Sequence, residues 1–152
     1  GPASVRYPRG TGPNSNVDKD LKPLKIGEAN IINEESSEIV ILNFGTLLNE
    51  ANQISKELKA TLVDMRFVKP LDEKLLRKLF KKAKVFISIE DGSIMGGAGS
   101  AVQEFASKEN LNVRSILFGI PDKFIEHASR EEMLVEAGLD VENIKSKLSK
   151  LL

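Results

Sequence analysis

The sequence has no cysteine and no tryptophan, and it has a single histidine, His127. Without cysteine, the chain can form no disulfide and can supply no thiolate as a nucleophile or metal ligand. With one histidine, neither a histidine-rich metal centre nor a Ser-His-Asp triad is expected. The 152 residues carry 22 acidic and 22 basic side chains, which leaves no net charge to attract nucleic acid or an anionic membrane. No apolar run approaches the length of a membrane span. These absences predict neither nucleic acid nor a membrane as a partner.

The beginning of the sequence differs in composition from the rest. Residues 1–10 include "ASVRYPRG", whose alternating side chains are typical of a strand. Residues 11–23 are rich in Gly, Pro, Asn and Asp and have almost nothing to bury, which is typical of a linker. We therefore predict that residues 1–10 are the last strand of a preceding domain, that residues 11–23 are a linker, and that residues 24–152 form one complete domain.

From residue 24 onward, segments typical of strands alternate with segments typical of helices. Strands are predicted over residues 24–33, 37–45, 60–68, 84–90 and 112–120. Helices are predicted after the N-cap residues Thr46 and Asp72, after the glycine-rich turn that follows the fourth strand, and near 129–137 and 140–151. Ser129, with Glu132 three residues later, has the pattern of a capping box. Buried strands that alternate with helices predict an α/β domain of three layers, with a mostly parallel five-stranded sheet and helices on both faces.

A glycine-rich turn lies in "IEDGSIMGGAGSAV" (89–102), and turns of this kind often bind phosphate. The dinucleotide fingerprint fails here, because Val102 stands at the third glycine position and the next strand ends in "ILFGI", without an acid. No P-loop motif occurs anywhere in the chain. We interpret the glycines as permitting a tight turn and close packing of a helix on the sheet. A free-standing nucleotide-binding module remains a rival interpretation.

Two residues near the end of the third predicted strand are candidates for binding an anion. Asp64 and Arg66 would share one face of that strand, because side chains alternate. Ligands of open α/β sheets bind at the carboxyl edge, and a guanidinium can donate two hydrogen bonds to a phosphate. A structural ion pair between Asp64 and Arg66 explains the pattern equally well. In "RYPRG", Arg9 lies beside a predicted turn, where a solvated arginine is the simpler interpretation.

Five segments together resemble one family of enzymes, the 1-deoxy-D-xylulose-5-phosphate synthases. The resemblance runs from residue 1 to the end of the chain, through "SVRYPRG", "ILNFGTLLNEA", "ATLVDMRFVKPLDE", "EDGSIMGGAGSAVQEF" and "GIPDKFIEHASREEM". The combination of "VDMRFVKPLD" with "IMGGAGSAV" is specific. Transketolase and the β chains of 2-oxo acid dehydrogenases share the domain but match less closely.

The resemblance implies a transketolase-like C-terminal domain, with residues 1–10 as the terminal strand of a pyrimidine-binding domain. Enzymes of the family are homodimers that use thiamine diphosphate and magnesium. They decarboxylate pyruvate and join the two-carbon fragment to D-glyceraldehyde 3-phosphate, and the product feeds isoprenoid, thiamine and pyridoxal synthesis. The family's G-D-G cofactor motif and its activating glutamate have no counterpart here, since "EDG" at 90–92 begins with Glu90. The resemblance thus implies an inactive C-terminal fragment of such a transferase, without catalytic, cofactor-binding or metal-binding residues.

By position, the resemblance gives one role to two residues. Arg9 of "YPRG" and Arg66 of "DMR" match the arginines that hold the phosphate of glyceraldehyde 3-phosphate in the family. The implied partners are the other domains of the enzyme, a second copy and the two substrates, in the cytoplasm of a bacterium or in a plastid. His127 receives no role. The alternative is a structural or dimerisation domain of another transketolase-like enzyme or of a 2-oxo acid dehydrogenase β chain.

Overall fold

The computed structural model describes residues 1–5 and 22–152. Residues 6–10 of the strand predicted over residues 1–10, and most of the predicted linker, lie outside the described residues. The proposed domain boundaries therefore remain predictions. The described strands are β1 (Asn30–Asn33), β2 (Ser36–Phe44), β3 (Ala60–Asp64), β4 (Val85–Ser93) and β5 (Arg114–Ile120). The helices are α1 (Leu48–Leu58), α2 (Glu73–Phe80), α3 (Ala98–Lys108), α4 (Arg130–Ala137) and α5 (Val141–Leu151). None of these helices has the length and apolar character needed to cross a membrane.

The five strands form one sheet in the order β1-β3-β2-β4-β5. The strands β3, β2, β4 and β5 are parallel to one another, and β1 is antiparallel to β3. The predicted α/β fold with a mostly parallel five-stranded sheet is therefore confirmed. Because four strands run in the same direction, the loops after β2, β3, β4 and β5 meet at one edge of the sheet. We call it the carboxyl edge.

Each face of the sheet is covered by its own apolar core, which gives the three predicted layers. On one face, α1 and α5 pack on the sheet through residues such as Ile54 and Ile144, both fully buried. On the other face, α2 and α3 contribute Phe80 and Val102. Side chains alternate along each strand, so the successive residues of β2 and β4 supply both cores in turn. This explains why those strands are apolar throughout rather than at every second position.

The largest differences from the predicted boundaries concern two strand ends and one helix cap. The first strand begins at Asn30 rather than at residue 24, because a turn closed by Glu28 N–H to the Lys25 carbonyl precedes it. The third strand ends at Asp64 rather than at residue 68, because Arg66 adopts a left-handed φ of 57°. Thr46 does not cap α1, whose N-cap residue is Leu47 without a side-chain bond, because Thr46 bonds to Asp91 instead.

The other two predicted caps are confirmed. Asp72 Oδ1 accepts from the Leu75 N–H at 2.9 Å at the start of α2. At the start of α4, the Ser129 side chain accepts from the Glu132 N–H, and the Glu132 carboxylate accepts from the Ser129 N–H. The Ser129 hydroxyl and then the Ser129 N–H, by donating to this carboxylate, lower the pKa of Glu132. The capping box fixes where the chain enters α4 after leaving the carboxyl edge.

Replacing Ser129 by Ala should lower the free energy of unfolding by about 1 kcal/mol, because the first turn of α4 then loses an acceptor for its unpaired N–H groups. Urea unfolding followed by circular dichroism measures the change. Ser146→Ala, at an exposed position inside α5, is the matched control and should have almost no effect. Equal effects of the two substitutions would show that the capping box does not stabilise the fold.

Candidate functional site

The glycine-rich turn between β4 and α3 is organised around the carboxylate of Glu90. This side chain is 4% exposed, and its two oxygens accept from the N–H groups of Ala98 at 2.8 Å and Gly99 at 3.0 Å. The first N–H groups of a helix have no partner within the helix and carry a partial positive charge. In this protein a buried carboxylate from the preceding strand satisfies two of them.

Glycine is required at two positions, Gly97 and Gly99, because other atoms lie where a side chain would begin. A Cβ atom on Gly97 would collide with the Ser93 carbonyl oxygen and the Glu90 carboxylate. A Cβ atom on Gly99 would collide with the Ser88 hydroxyl of the underlying strand. The predicted close packing of helix on sheet is thus confirmed. Because Glu90 already occupies the N–H groups of Ala98 and Gly99, this helix N-terminus does not offer them to a phosphate.

Arg66 lies at the carboxyl edge, directly after β3. Its Nε is 3.7 Å from Asp64 Oδ2, so the structure does bring together the two residues predicted from the sequence. The predicted reason was wrong, because Arg66 lies beyond the strand with a φ of 57° and does not share a strand face with Asp64. The backbone of Met65 still donates to the Asn43 carbonyl at 2.9 Å. The turn to the left-handed conformation therefore comes one residue past the last bond of the strand to β2.

The described part of the chain contains four arginines. Three of them donate hydrogen bonds to other described residues, and Arg66 does not. Arg77 donates to Glu109 and to Glu73, which raise the pKa of its guanidinium in that order of importance. Arg114 donates to a backbone carbonyl near the C-terminus, and Arg130 donates to a threonine hydroxyl. The side chain of Arg66 is 30% exposed. Its donors are therefore available to an anion that approaches the carboxyl edge.

Arg9, the second predicted phosphate-binding residue, lies outside the described residues. The structure therefore gives no distance between Arg9 and Arg66, and their pairing stays a prediction.

A polar cluster at the same edge was missed by sequence reasoning. Asp91 accepts from the Thr46 N–H at 3.1 Å and from the Thr46 hydroxyl at 2.7 Å. Arg130 in turn donates to the Thr46 hydroxyl at 3.1 Å and lies 3.9 Å from a Glu50 carboxylate oxygen. These bonds connect the loop after β2 to the last part of β4 and to the first residue of α4. The sequence did contain a signal for this contact. If the second and fourth predicted strands pair in parallel, their carboxyl ends lie side by side, which brings Thr46 close to Asp91.

His127 lies in the loop between β5 and α4, two residues before the capping Ser129, and it is exposed. No hydrogen bond or ion pair connects it to any other described residue. The part of the chain that the structure describes contains no group of three or more His, Asp or Glu side chains arranged to hold a metal ion. The two N–H groups of Ala98 and Gly99 at the N-terminus of α3 are likewise occupied by Glu90.

Comparison with known families and proteins gives matches over most of the chain. The family model "Transketolase, C-terminal domain" matches residues 27–144. The chain is 47% identical over 148 residues to a 1-deoxy-D-xylulose-5-phosphate synthase of Pseudomonas fluorescens strain Pf-5, which covers 97% of the chain and 23% of the relative. It is 50% identical over 153 residues to the enzyme of the same name from Stutzerimonas stutzeri strain A1501, which covers 100% of the chain and 24% of the relative. The chain thus spans about a quarter of the length of these curated relatives.

A solved structure described as "Split gene transketolase, inactive beta4 tetramer" superposes with a TM-score of 0.75 at 26% identity. The superposition covers 84% of this chain and 43% of the other. The resemblance to 1-deoxy-D-xylulose-5-phosphate synthase noted from the sequence motifs is confirmed by the named relatives. Because the family model matches residues 27–144 and relatives of 47% and 50% identity match nearly the whole chain, the chain belongs to the transketolase C-terminal domain family.

Proposed function

We propose that this chain acts as the C-terminal part of a 1-deoxy-D-xylulose-5-phosphate synthase. Such an enzyme releases CO2 from pyruvate and forms a carbon–carbon bond between the remaining two-carbon unit and the aldehyde carbon of D-glyceraldehyde 3-phosphate. The proposal is supported by identities of 47% and 50% to two enzymes of that name across nearly the whole chain. Because the chain spans about a quarter of those relatives, the reaction is proposed for a longer protein that contains it.

Within that protein, we assign this domain the binding of the substrate phosphate, through Arg66 with Arg9 as its partner. This assignment rests on one observation about Arg66. Its guanidinium lies partly exposed at the carboxyl edge and donates no hydrogen bond to any described residue. A phosphate needs charged, forked donors held by a rigid frame. The strand β3 and the bond from the Met65 N–H to the Asn43 carbonyl supply such a frame directly before Arg66. Fixing the phosphate would orient the aldehyde at the other end of the substrate for reaction.

The named relatives belong to a family of thiamine diphosphate enzymes. Since this sequence has no counterpart of the family's G-D-G motif or of its activating glutamate, we assign the binding of that cofactor, together with magnesium, to the remaining part of the longer protein. No step of the reaction is assigned to a side chain of this domain other than orientation of the phosphorylated substrate.

The longer protein should form 1-deoxy-D-xylulose 5-phosphate and CO2 in equal amounts from pyruvate and glyceraldehyde 3-phosphate, as measured by NMR spectroscopy of the mixture. The 152-residue chain alone should show no turnover, because it offers no site for the cofactor. A ketose phosphate offered in place of pyruvate is the control for transketolase activity and should give no product. Turnover by the isolated chain, or preference for the ketose phosphate, would contradict the proposal.

A second candidate function is assembly. It is favoured by the structural relative, whose description names an inactive tetramer of the β part of a split transketolase. In this case the domain would hold subunits together and contact no substrate. Substitution of Arg66 would then leave the kinetics unchanged, whereas the oligomeric state measured by sedimentation would depend on this domain.

A further inference from the structure

A cavity of about 370 Å³ lies along β5, the outermost strand on the side of the sheet opposite β1. Its walls are mainly apolar and include the buried side chains of Ile116, Phe118 and Leu139. Its volume lies within the range of about 300–1,000 Å³ that is usual for pockets that bind small molecules. It is separate from the candidate phosphate site, because β2 and β4 lie between β3, which precedes Arg66, and β5.

Two lysines of α5, Lys147 and Lys150, line this cavity. The ammonium group of Lys147 lies 5.9 Å from the centre of the Phe118 ring. Lys145 on the same helix, by contrast, binds Glu57 at 2.9 Å and Glu142 at 3.3 Å. Neither Lys147 nor Lys150 forms an ion pair with any described carboxylate. The cavity therefore combines an apolar wall with two positive charges that have no internal counter-charge among the described residues.

The backbone around the cavity holds these charges close to the apolar wall. Gly138 ends α4 with a φ of 70°, and a Cβ atom there would come within 2.8 Å of the Lys147 ammonium nitrogen. At the C-terminal end of α5, Arg114 Nη1 donates to the Leu151 carbonyl at 2.7 Å. This bond attaches the end of α5 to the start of β5. The lysines thus sit on a helix that is anchored to the strand forming the cavity floor.

From this arrangement we propose that the cavity binds a small amphiphilic anion, with a carboxylate or phosphate head and an aliphatic tail. The head would pair with Lys147 and Lys150, and the tail would cover Ile116, Phe118 and Leu139. A neutral apolar molecule would leave the two ammonium groups without a partner, and an inorganic anion would leave the apolar wall exposed to water. Both parts of the ligand are therefore required for tight binding.

The proposal is tested on the 152-residue chain with octyl phosphate, kept below its micelle concentration, and with 1-octanol and inorganic phosphate as separate probes. Titration calorimetry should give a Kd for octyl phosphate that is at least about tenfold lower than the Kd for either other probe. Amide resonances of Ile116, Phe118 and Leu139 should shift in NMR spectra during the titration.

Substitutions separate the contribution of the charges from that of the apolar wall. The double variant Lys147→Ala, Lys150→Ala should raise the Kd for octyl phosphate about tenfold, since two partly exposed ion pairs are lost. Lys145→Ala, which removes the same charge from the same helix outside the cavity, should leave the Kd within about twofold. Ala137→Leu retains both lysines but narrows the cavity that Ala137 lines, and it should also weaken binding. Circular dichroism confirms that each variant is folded.

Four results would overturn the proposal. The first is a Kd for octyl phosphate no lower than that for octanol, and the second is an equal effect of the double variant and Lys145→Ala. The third is binding of Lys147 and Lys150 to phosphatidylglycerol vesicles without binding of monomeric octyl phosphate, which would indicate a lipid surface as the ligand. The fourth is self-association that Ala137→Leu abolishes in sedimentation experiments, which would assign the cavity to a second copy of the chain.

Discussion

Glu90→Ala should lower the free energy of unfolding of this domain by about 3–5 kcal/mol, a large part of the stability of a typical domain. The carboxylate is buried and accepts from two backbone N–H groups at the start of α3. Alanine would leave both donors buried without a partner and would open a cavity beneath the glycine turn. Urea unfolding followed by circular dichroism measures the loss directly.

The matched control for this prediction is Glu104→Ala on α3. Glu104 is exposed, so its removal should change stability by no more than about 0.5 kcal/mol. Glu90→Gln is a second test, because the amide retains one oxygen to accept from an N–H group but places an NH2 group opposite the other. Glu90→Gln should lower the free energy of unfolding less than Glu90→Ala does, but clearly more than Glu104→Ala does. If Glu90→Ala and Glu104→Ala were equally mild, the carboxylate would not be what holds the turn.

Arg66→Ala, introduced into the longer enzyme, should raise the KM for glyceraldehyde 3-phosphate about 10- to 100-fold and leave the KM for pyruvate almost unchanged. Loss of a charged, forked donor to a phosphate removes roughly 1.5–3 kcal/mol of binding. Pyruvate carries no phosphate and therefore gains nothing from this side chain. Steady-state kinetics with each substrate varied in turn measures the two constants.

Two controls make the test of Arg66 specific. With unphosphorylated glyceraldehyde as the acceptor, wild type and Arg66→Ala should have nearly the same KM, because there is no phosphate to lose. Arg114→Ala changes an arginine at the start of β5, at the opposite edge of the sheet, and should alter neither KM. An Arg66→Ala effect that is equal for both substrates, or that persists with the unphosphorylated aldehyde, would indicate a structural role for the pair with Asp64.

Elements with strong local signals were predicted well. The apolar run "KVFISIE" needed no tertiary information to be recognised as a buried strand, and the observed β4 begins at Val85, one residue later than predicted. The side-chain cap at Asp72 and the capping box at Ser129 involve residues only three apart, so their patterns are visible in the sequence. The layers and the mostly parallel sheet were also predicted, because alternating buried strands and helices leave few arrangements that cover both faces of a sheet. The order of the strands came only from the structure.

The ends of elements were predicted less well where a distant residue decides the local conformation. Thr46 has the side chain of an N-cap, but Asp91, 45 positions away, binds both its N–H and its hydroxyl. Arg66 was predicted to lie within a strand over residues 60–68, yet the backbone has already left the extended conformation there. At Thr46, the local preference for capping competes with a contact that forms only when the loop after β2 meets β4.

The sequence by itself determined the α/β class and the family, because motifs and periodicity are local properties of the chain. The pairing of Arg9 with Arg66 at a phosphate, which the family resemblance implies, stays a prediction. The sequence could not determine whether the glycine turn was open to an anion. That depended on the carboxylate of Glu90, which is eight and nine residues from the amides that it binds and reaches them only when α3 folds back on β4. Nor could it show that Arg66 donates no hydrogen bond within the described chain, since the partners of the other described arginines come largely from distant segments. Tertiary structure decided both points, because folding determines which groups already have hydrogen-bond partners and which, like the guanidinium of Arg66, have only a longer ion pair, here with Asp64.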